Sequence, residues 1–450
     1  MDHSDTFKKI FGSTILLVIG GGGISLAQAA PAEHQTVTGP VAEYWVSTTT
    51  STGISAAGLA GGGRPSLGSM MNMMRGGVTH TMHLQLGSSL NASGDPSADH
   101  LPPVALDGGK DLPLFYKVPV SEKTVPSDNQ GEPSQPSEPP KGKILIFWGC
   151  GEHAPKNQPT VIDLSKLADP AARMALIAKM SPVQPVPLDT VRPPSPDRWK
   201  TYGEWPNQKS RVGLDGNSSL LGAHLVKGNY SPDINFTLAP NQDFMAPITI
   251  ISNSRDGDGA VPLQWHAVPG ARGIIASAMG GGKDSDGSSL VVVWTSAQSQ
   301  MGWTGLAADY LTPHDEDRLI TAKLLLPGDA TSCTVPAEVL NATGAQGALF
   351  YSMTAYGGEA NFAYPARPQD AKTPWNIQWE TKVRYKTTTG GMLGRTMTGD
   401  GGFMGAQSNE ASEAGASVST AAGDPSKKKK GSLFGDMVKQ GLSAMVPGSH

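Results

Sequence analysis

Turn-forming residues punctuate this chain so densely that long helices have little room. The 450 residues include 55 glycines and 36 prolines. Proline removes a backbone donor, and glycine is costly inside regular elements. The apolar runs left between them have strand length. With only 16% charged residues, the composition indicates a mainly β, loop-rich protein. Residues 78–86 show the pattern most clearly. Val78, His80, Met82, Leu84 and Leu86 share one face, and Thr79, Thr81, His83 and Gln85 the other. That period of two belongs to a half-buried strand.

The first 29 residues read as a signal peptide. Lys8 and Lys9 precede the apolar run Ile10–Ile19, four glycines break it, and Ala27-Gln28-Ala29 supplies a small-x-small cleavage site. The run is shorter than the roughly 20 residues of a membrane-spanning helix. Export to the periplasm or the medium is the expectation. No cysteine follows the run to carry a lipid.

An N-terminal β-rich domain is expected over 40–180, with strands at 41–52, 78–86, 112–118, 143–148 and 161–164. Two excursions interrupt it. One is Gly/Met-rich (53–77) and carries Met70, Met71, Met73 and Met74. Such a cluster suits soft copper(I), or serves as flexible apolar filler. The other, Pro/Ser-rich, spans 119–142. Asp169 as N-cap and Pro170 at the first helical position predict a short helix through 172–180. A Pro-rich linker follows at 181–216. Its Trp199, Tyr202 and Trp205 imply packing against a surface.

A second β domain is expected over 217–389. Its strands are predicted at 223–226, 235–239, 247–252, 261–268, 273–278, 290–295, 319–326, 348–356 and 377–387. Punctuation of this kind indicates a sandwich. Within it, Val261-Pro-Leu263-Gln-Trp265 runs into Val268-Pro-Gly270-Ala271-Arg-Gly273-Ile274. This resembles the second and third strands of fibronectin type III modules, an immunoglobulin-like sandwich family. Tyr351-Ser-Met353-Thr-Ala355 is similar to the module's later Tyr-x-apolar-x-Ala strand, and 374–387 to its closing strand. Ile274 stands where the family carries Tyr, and the distance from Trp265 to Tyr351 implies an insertion. The resemblance covers at most 245–389. It implies a binding or spacer role, although a fold does not dictate function.

A disordered tail is expected at 390–431. Beyond it, Leu433, Phe434, Met437, Val438, Leu442 and Met445 recur at helical spacing over 432–447, and five lysines against Asp436 make 426–450 net positive. This is a possible amphipathic helix for a membrane surface or a partner groove, or a solvated tail end.

Few residues point to chemistry. Cys150 and Cys333 are the only cysteines. They form one disulfide or remain two buried thiols. Cys150, Glu152 and His153 could form a thiolate–imidazole pair or part of a metal site, or shape a turn. Asp256-Gly-Asp-Gly259 and Asp284-Ser-Asp-Gly287 have a calcium-loop flavour but lack the later ligands, so hairpin turns are expected. Ser127-Asp128-Asn129 matches an isolated penicillin-binding triplet without its partners. No cofactor motif is found, and the formal net charge of −4 is too small to argue for nucleic acid, so no nucleic-acid partner is expected. Trp199, Trp205, Trp265, Trp294, Trp303, Trp375 and Trp379 fall in or near the second domain, for a core or a glycan-stacking face. Three functions follow: a non-enzymatic module binding an envelope protein, a glycan binder, or an enzyme built around Cys150. The signal is directly testable. N-terminal sequencing of the mature protein is expected to begin at Ala30; a retained Met1 would overturn cleavage and point instead to an uncleaved N-terminal anchor.

Overall fold

The computed structural model describes residues 35–53, 77–118, 142–166, 169–172, 174–175, 188–189, 191–206, 213–284, 286–300, 309–344 and 347–394. The signal segment, most of the two excursions, the methionine cluster, Ser127-Asp128-Asn129 and the 432–447 segment lie outside them. The predicted 172–180 helix is described only at its start, where Asp169 Oδ1 accepts from Ala171 N.

The protein is mainly β. In chain order the strands begin with β1 Val37–Thr38, β2 Ala42–Gly53, β3 Thr79–Ser88, β4 Ala98–Leu101, β5 Leu112–Pro113 and β6 Phe115–Tyr116. There follow β7 Gly142–Trp148, β8 Thr160–Asp163, β9 Thr201–Trp205, β10 Gly213–Asp215, β11 Gly222–Gly228 and β12 Ile234–Leu238. The rest are β13 Ile250–Ser252, β14 Val261–Trp265, β15 Ala271–Lys283, β16 Ser289–Thr295, β17 Leu326–Pro327, β18 Ser332–Val335, β19 Ala348–Tyr364, β20 Trp375–Asn376 and β21 Trp379–Met392. Two α-helices are described, α1 Pro313–Thr321 and α2 Ala337–Asn341.

One 12-stranded sheet organises them, in the order β6-β9-β3-β2-β21-β19-β15-β16-β7-β8 with β10 and β17 as branches. Two smaller sheets, β12-β11-β4-β5 and β13-β14-β18, contribute to the same buried cluster as the large one. Alternation dictates which side chains enter it. Tyr44 and Val46 of β2, Leu84 and Leu86 of β3, Val383 and Tyr385 of β21, and Ile274 and Ala276 of β15 all point to this side. Leu263 and Trp265 of β14 meet them from the small sheet, and Phe236 from the four-stranded one.

Several expectations are revised. Strands from 40–180 and from 217–389 share the large sheet, because β2 pairs with β21 and β7 with β16. The 181–216 segment is no spacer between two sheets: its β9 pairs with β3 across Leu84–Ser88. Residues 112–118 split into β5 and β6, which join different sheets. The strand expected at 319–326 is instead the end of a helix and the turn after it, with only Leu326 in a strand. Thr312 Oγ1 accepts from Asp315 N at 3.0 Å, and Pro313 sits in the first turn of α1. Leu319, Leu324 and Leu325 are apolar because that helix packs on the sheet's second face, beside Tyr356. The tail begins later than expected, since β21 continues through Met392.

A chain of hydrogen bonds crosses the core between sheets. Tyr44 Oη lies 2.6 Å from His100 Nδ1, His100 Nε2 3.0 Å from His224 Nδ1, and His224 Nε2 2.7 Å from Leu220 O. The carbonyl only accepts, so His224 Nε2 carries a proton. Neutral rings then orient the whole series: Tyr44 donates to His100, His100 to His224, and His224 to Leu220. Burial holds His100 well below the ordinary imidazole value, with the neighbouring His224 adding to the effect. Burial also lowers His224. Folding therefore favours uncharged rings. Their contribution is complete above the unfolded value of about 6.5 and is lost as pH falls below it. Urea unfolding at about pH 7.5 and 5.5 is expected to show this loss, approaching ~1.4 kcal/mol per pH unit per ring. The His100→Leu/His224→Leu double variant should be less stable at the higher pH but have a flatter slope. An equally steep slope in that variant would place the titrating groups elsewhere.

Candidate functional site

The second face of the large sheet is polar at its centre. The sequence of β21 explains why. Trp379, Thr381, Val383 and Tyr385 enter the core, so Glu380, Lys382, Arg384 and Lys386 emerge on the other side. Parallel pairing sets Glu43 beside Glu380, Trp45 beside Lys382 and Ser47 beside Arg384. On the opposite flank, β19 places Ala363 beside Glu380, Asn361 beside Lys382 and Glu359 beside Arg384.

Cations and rings alternate along this face. Lys382 Nζ lies 5.5 Å from the Trp45 ring centre. The Arg384 guanidinium is 4.5 Å from Trp45 and 4.1 Å from Tyr310. Lys386 Nζ follows at 4.3 Å from Tyr310. Such contacts gain when water is excluded. The ladder is pinned at its sides. Arg384 donates to Ser47 Oγ at 2.7 Å, Tyr310 Oη donates to Thr48 O at 2.9 Å, Lys382 pairs with Glu359, and Lys386 with Asp309. Its charges are committed to one another, and the ladder forms a rigid base.

At one end the base opens into a groove of about 530 Å³. Its floor carries Glu43, Trp45, Glu380, Lys382 and Asn361, and Arg367 and Trp375 stand at its rim. Two small residues flank the carboxylates in one row across the strands: Gly87, Glu43, Glu380 and Ala363. Trp199 fills the space above Gly87, where any Cβ would collide with its ring. Above Ala363 the space stays open. Glu43 Oε1 accepts from Trp45 Nε1 at 2.6 Å. The Glu380 carboxylate accepts no hydrogen bond from the described residues. Burial raises the carboxyl pKa of Glu43, partly countered by the Trp45 hydrogen bond and the charge of Arg198, and the charge of Glu380 also raises it. Burial raises Glu380 against the pull of Lys382.

The residues singled out from sequence lie elsewhere. Cys150 is bonded to Cys333 of β18, with Cα atoms 5.2 Å apart. The sulfur is therefore neither nucleophile nor metal ligand. His153 Nδ1 lies 3.2 Å from Glu338 Oε1, and Glu152 O accepts from Ala337 N. Gly151 N donates to Thr334 O. The loop after β7 is thus a clasp on β18 and α2. Asp256 caps its own turn, accepting from Asp258 N and Ala260 N. Asp284 pairs with Lys143 at 2.6 Å, and Asp286 accepts from Ser288 N in the β15–β16 turn. Among the described residues no group of three or more His, Cys, Asp or Glu side chains gathers for a metal.

Trp205, Trp265, Trp294 and Trp379 are buried, whereas Trp199 and Trp375 keep part of their surface in solvent. Trp303 is outside the described residues. Sequence reasoning passed over Glu43, Glu380 and Arg384. The charges alternating with apolar residues through Glu380–Lys386 were the available signal of a polar second face.

The clasp generates a stability test. The disulfide closes a separation of 183 residues. Removing such a link in a Cys150→Ala/Cys333→Ala variant is expected to lower unfolding free energy by about 2–5 kcal/mol. Urea denaturation under non-reducing conditions measures it, and an unchanged midpoint would show that the bond contributes nothing.

No family model matches the chain, and no curated protein matches it either.

Proposed function

We propose that this protein is an exported, non-enzymatic interaction module of the cell envelope, built on a fibronectin type III-like sandwich and acting in the periplasm or outside the cell. The observation that carries this reading is the strand pairing around Trp265. The apolar-x-Trp strand β14 pairs with β13 and β18 in one small sheet. After the turn at Gly270, whose φ of +77° suits glycine, β15 pairs with β19 and β16, and β19 with β21. Immunoglobulin-like sandwiches divide their strands in this manner, first, second and fifth against third, sixth and seventh. The segment between β16 and β18, which contains α1, supplies the insertion that separates Trp265 from Tyr351.

Further support comes from the polar face, where interlocked charges give a preformed surface for recognition. The thiolate-based enzyme reading loses its nucleophile to the Cys150–Cys333 bond. The possible amphipathic segment at 432–447, with the basic run Lys427–Lys430 just before it, serves in this proposal as a contact to membrane or partner. Crosslinking in intact cells, followed by fractionation and identification of adducts, tests it. The expected result is a reproducible envelope partner joined through lysines of the exported protein. A cytoplasmic location, or adducts indistinguishable from those of an abundant exported control, would overturn it.

A further inference from the structure

We infer that the groove over Glu43 and Glu380 is a binding site for a neutral carbohydrate, a short run of pyranose rings. The inference rests on the interaction-module reading and names a ligand class for its polar face.

The charges of the groove select against a charged ligand. Glu43 and Glu380 lie side by side on adjacent parallel strands. Lys382 stands in the next row, and Arg367 at the rim donates to Gln35 Oε1 at 2.9 Å. An anion meets the carboxylate pair, and a cation meets Lys382 and Arg367. A ligand with hydroxyls and no net charge suits both sets, because each hydroxyl donates to one group and accepts from another. Glu380 has both carboxylate oxygens free for such donors, and Glu43 has Oε2. Asn361 on the same floor adds an amide that both donates and accepts.

Shape and apolar surface narrow the class further. A small polyol needs no aromatic wall, whereas a pyranose presents an apolar face to one. Trp375 is half-buried and held in place, its Nε1 donating to Pro365 O at 2.9 Å and the Arg367 guanidinium lying over its ring, 5.5 Å from the centre. Ala363, directly beside Glu380 in register, keeps the space next to the carboxylate open. The volume of about 530 Å³ lies in the range of small-molecule sites. The cation–ring ladder beneath is already formed, so little reordering accompanies binding.

The test uses the full mature chain on an array of neutral oligosaccharides of hexose, pentose and N-acetylhexosamine types, with uronate and sulfated glycans on the same array. The best neutral oligosaccharide is then titrated calorimetrically. Neutral glycans are expected to be retained and acidic ones not. Trp375→Ala should weaken binding by roughly three- to tenfold through the lost stacking. Glu380→Gln should weaken it too, and Ala363→Leu should abolish it by filling the groove while removing no contact. Thermal unfolding of each variant separates lost binding from lost folding, and Ala363→Leu and Glu380→Gln remain informative if Trp375→Ala does not fold. No retention of any neutral glycan, a preference for acidic glycans, or undiminished binding by Ala363→Leu would overturn the inference. An envelope partner still captured by crosslinking in that event would leave the interaction-module reading standing.

Discussion

The structure depends on the parallel ladder between β2 and β21. It runs without a register shift from Ala42 opposite Trp379 to Gly53 opposite Gly390. β2 has β3 on its other side, so its donors and acceptors are satisfied only when the far end of the chain arrives. Parallel strands require a crossover, and here the crossover is nearly the whole protein. The ladder places both smaller sheets over one face of a continuous surface and leaves the other face for α1, the Pro-rich segment around Pro194 and the groove. Gln85 Nε2, which donates to Pro194 O, ties that segment down.

The same ladder creates the chemistry of the second face. Each strand alternates, so a core row of Tyr44, Thr381 and Phe362 obliges the neighbouring positions to point outward. Glu43 and Glu380 become neighbours by register alone. A slip of one residue would move Glu380 into the core and Thr381 onto the face. The Trp45–Arg384–Tyr310 stack resists that slip, because Arg384 fits between two rings only in this alignment. Pinning the charged groups to rings, hydroxyls and each other also limits the cost of placing them beneath a groove.

The polar chain from Tyr44 to Leu220 serves a comparable purpose on the inner side. A hydroxyl and two imidazoles buried between sheets are costly unless every proton has an acceptor. The directional order of the three bonds satisfies them in one arrangement of the sheets, so the pairing of β2 with the sheet above it is specified and not merely favoured.

Much of the strand pattern was legible in the residues. Alternation at 78–86, the apolar run at 143–148 and the Trp265–Gly270 signature each fall on an observed strand or turn, because period and turn chemistry act locally. Local reading failed where two signals competed. Leu319–Leu326 looks like a strand by apolar content, yet Thr312, Pro313 and Asp315 specify a helix start. It failed again at Thr201–Trp205, where a strand follows a proline-rich stretch and is held by pairing to β3. The groove was illegible for a deeper reason. Residues such as Glu43, Ala363 and Glu380 acquire a joint meaning only through cross-strand register, which the far-separated strands set together. The sequence by itself determined that this is a β protein with alternating faces. Which strands lie side by side, and therefore which side chains form a site, was decided by the tertiary structure, because backbone pairing links residues without regard to their distance along the chain.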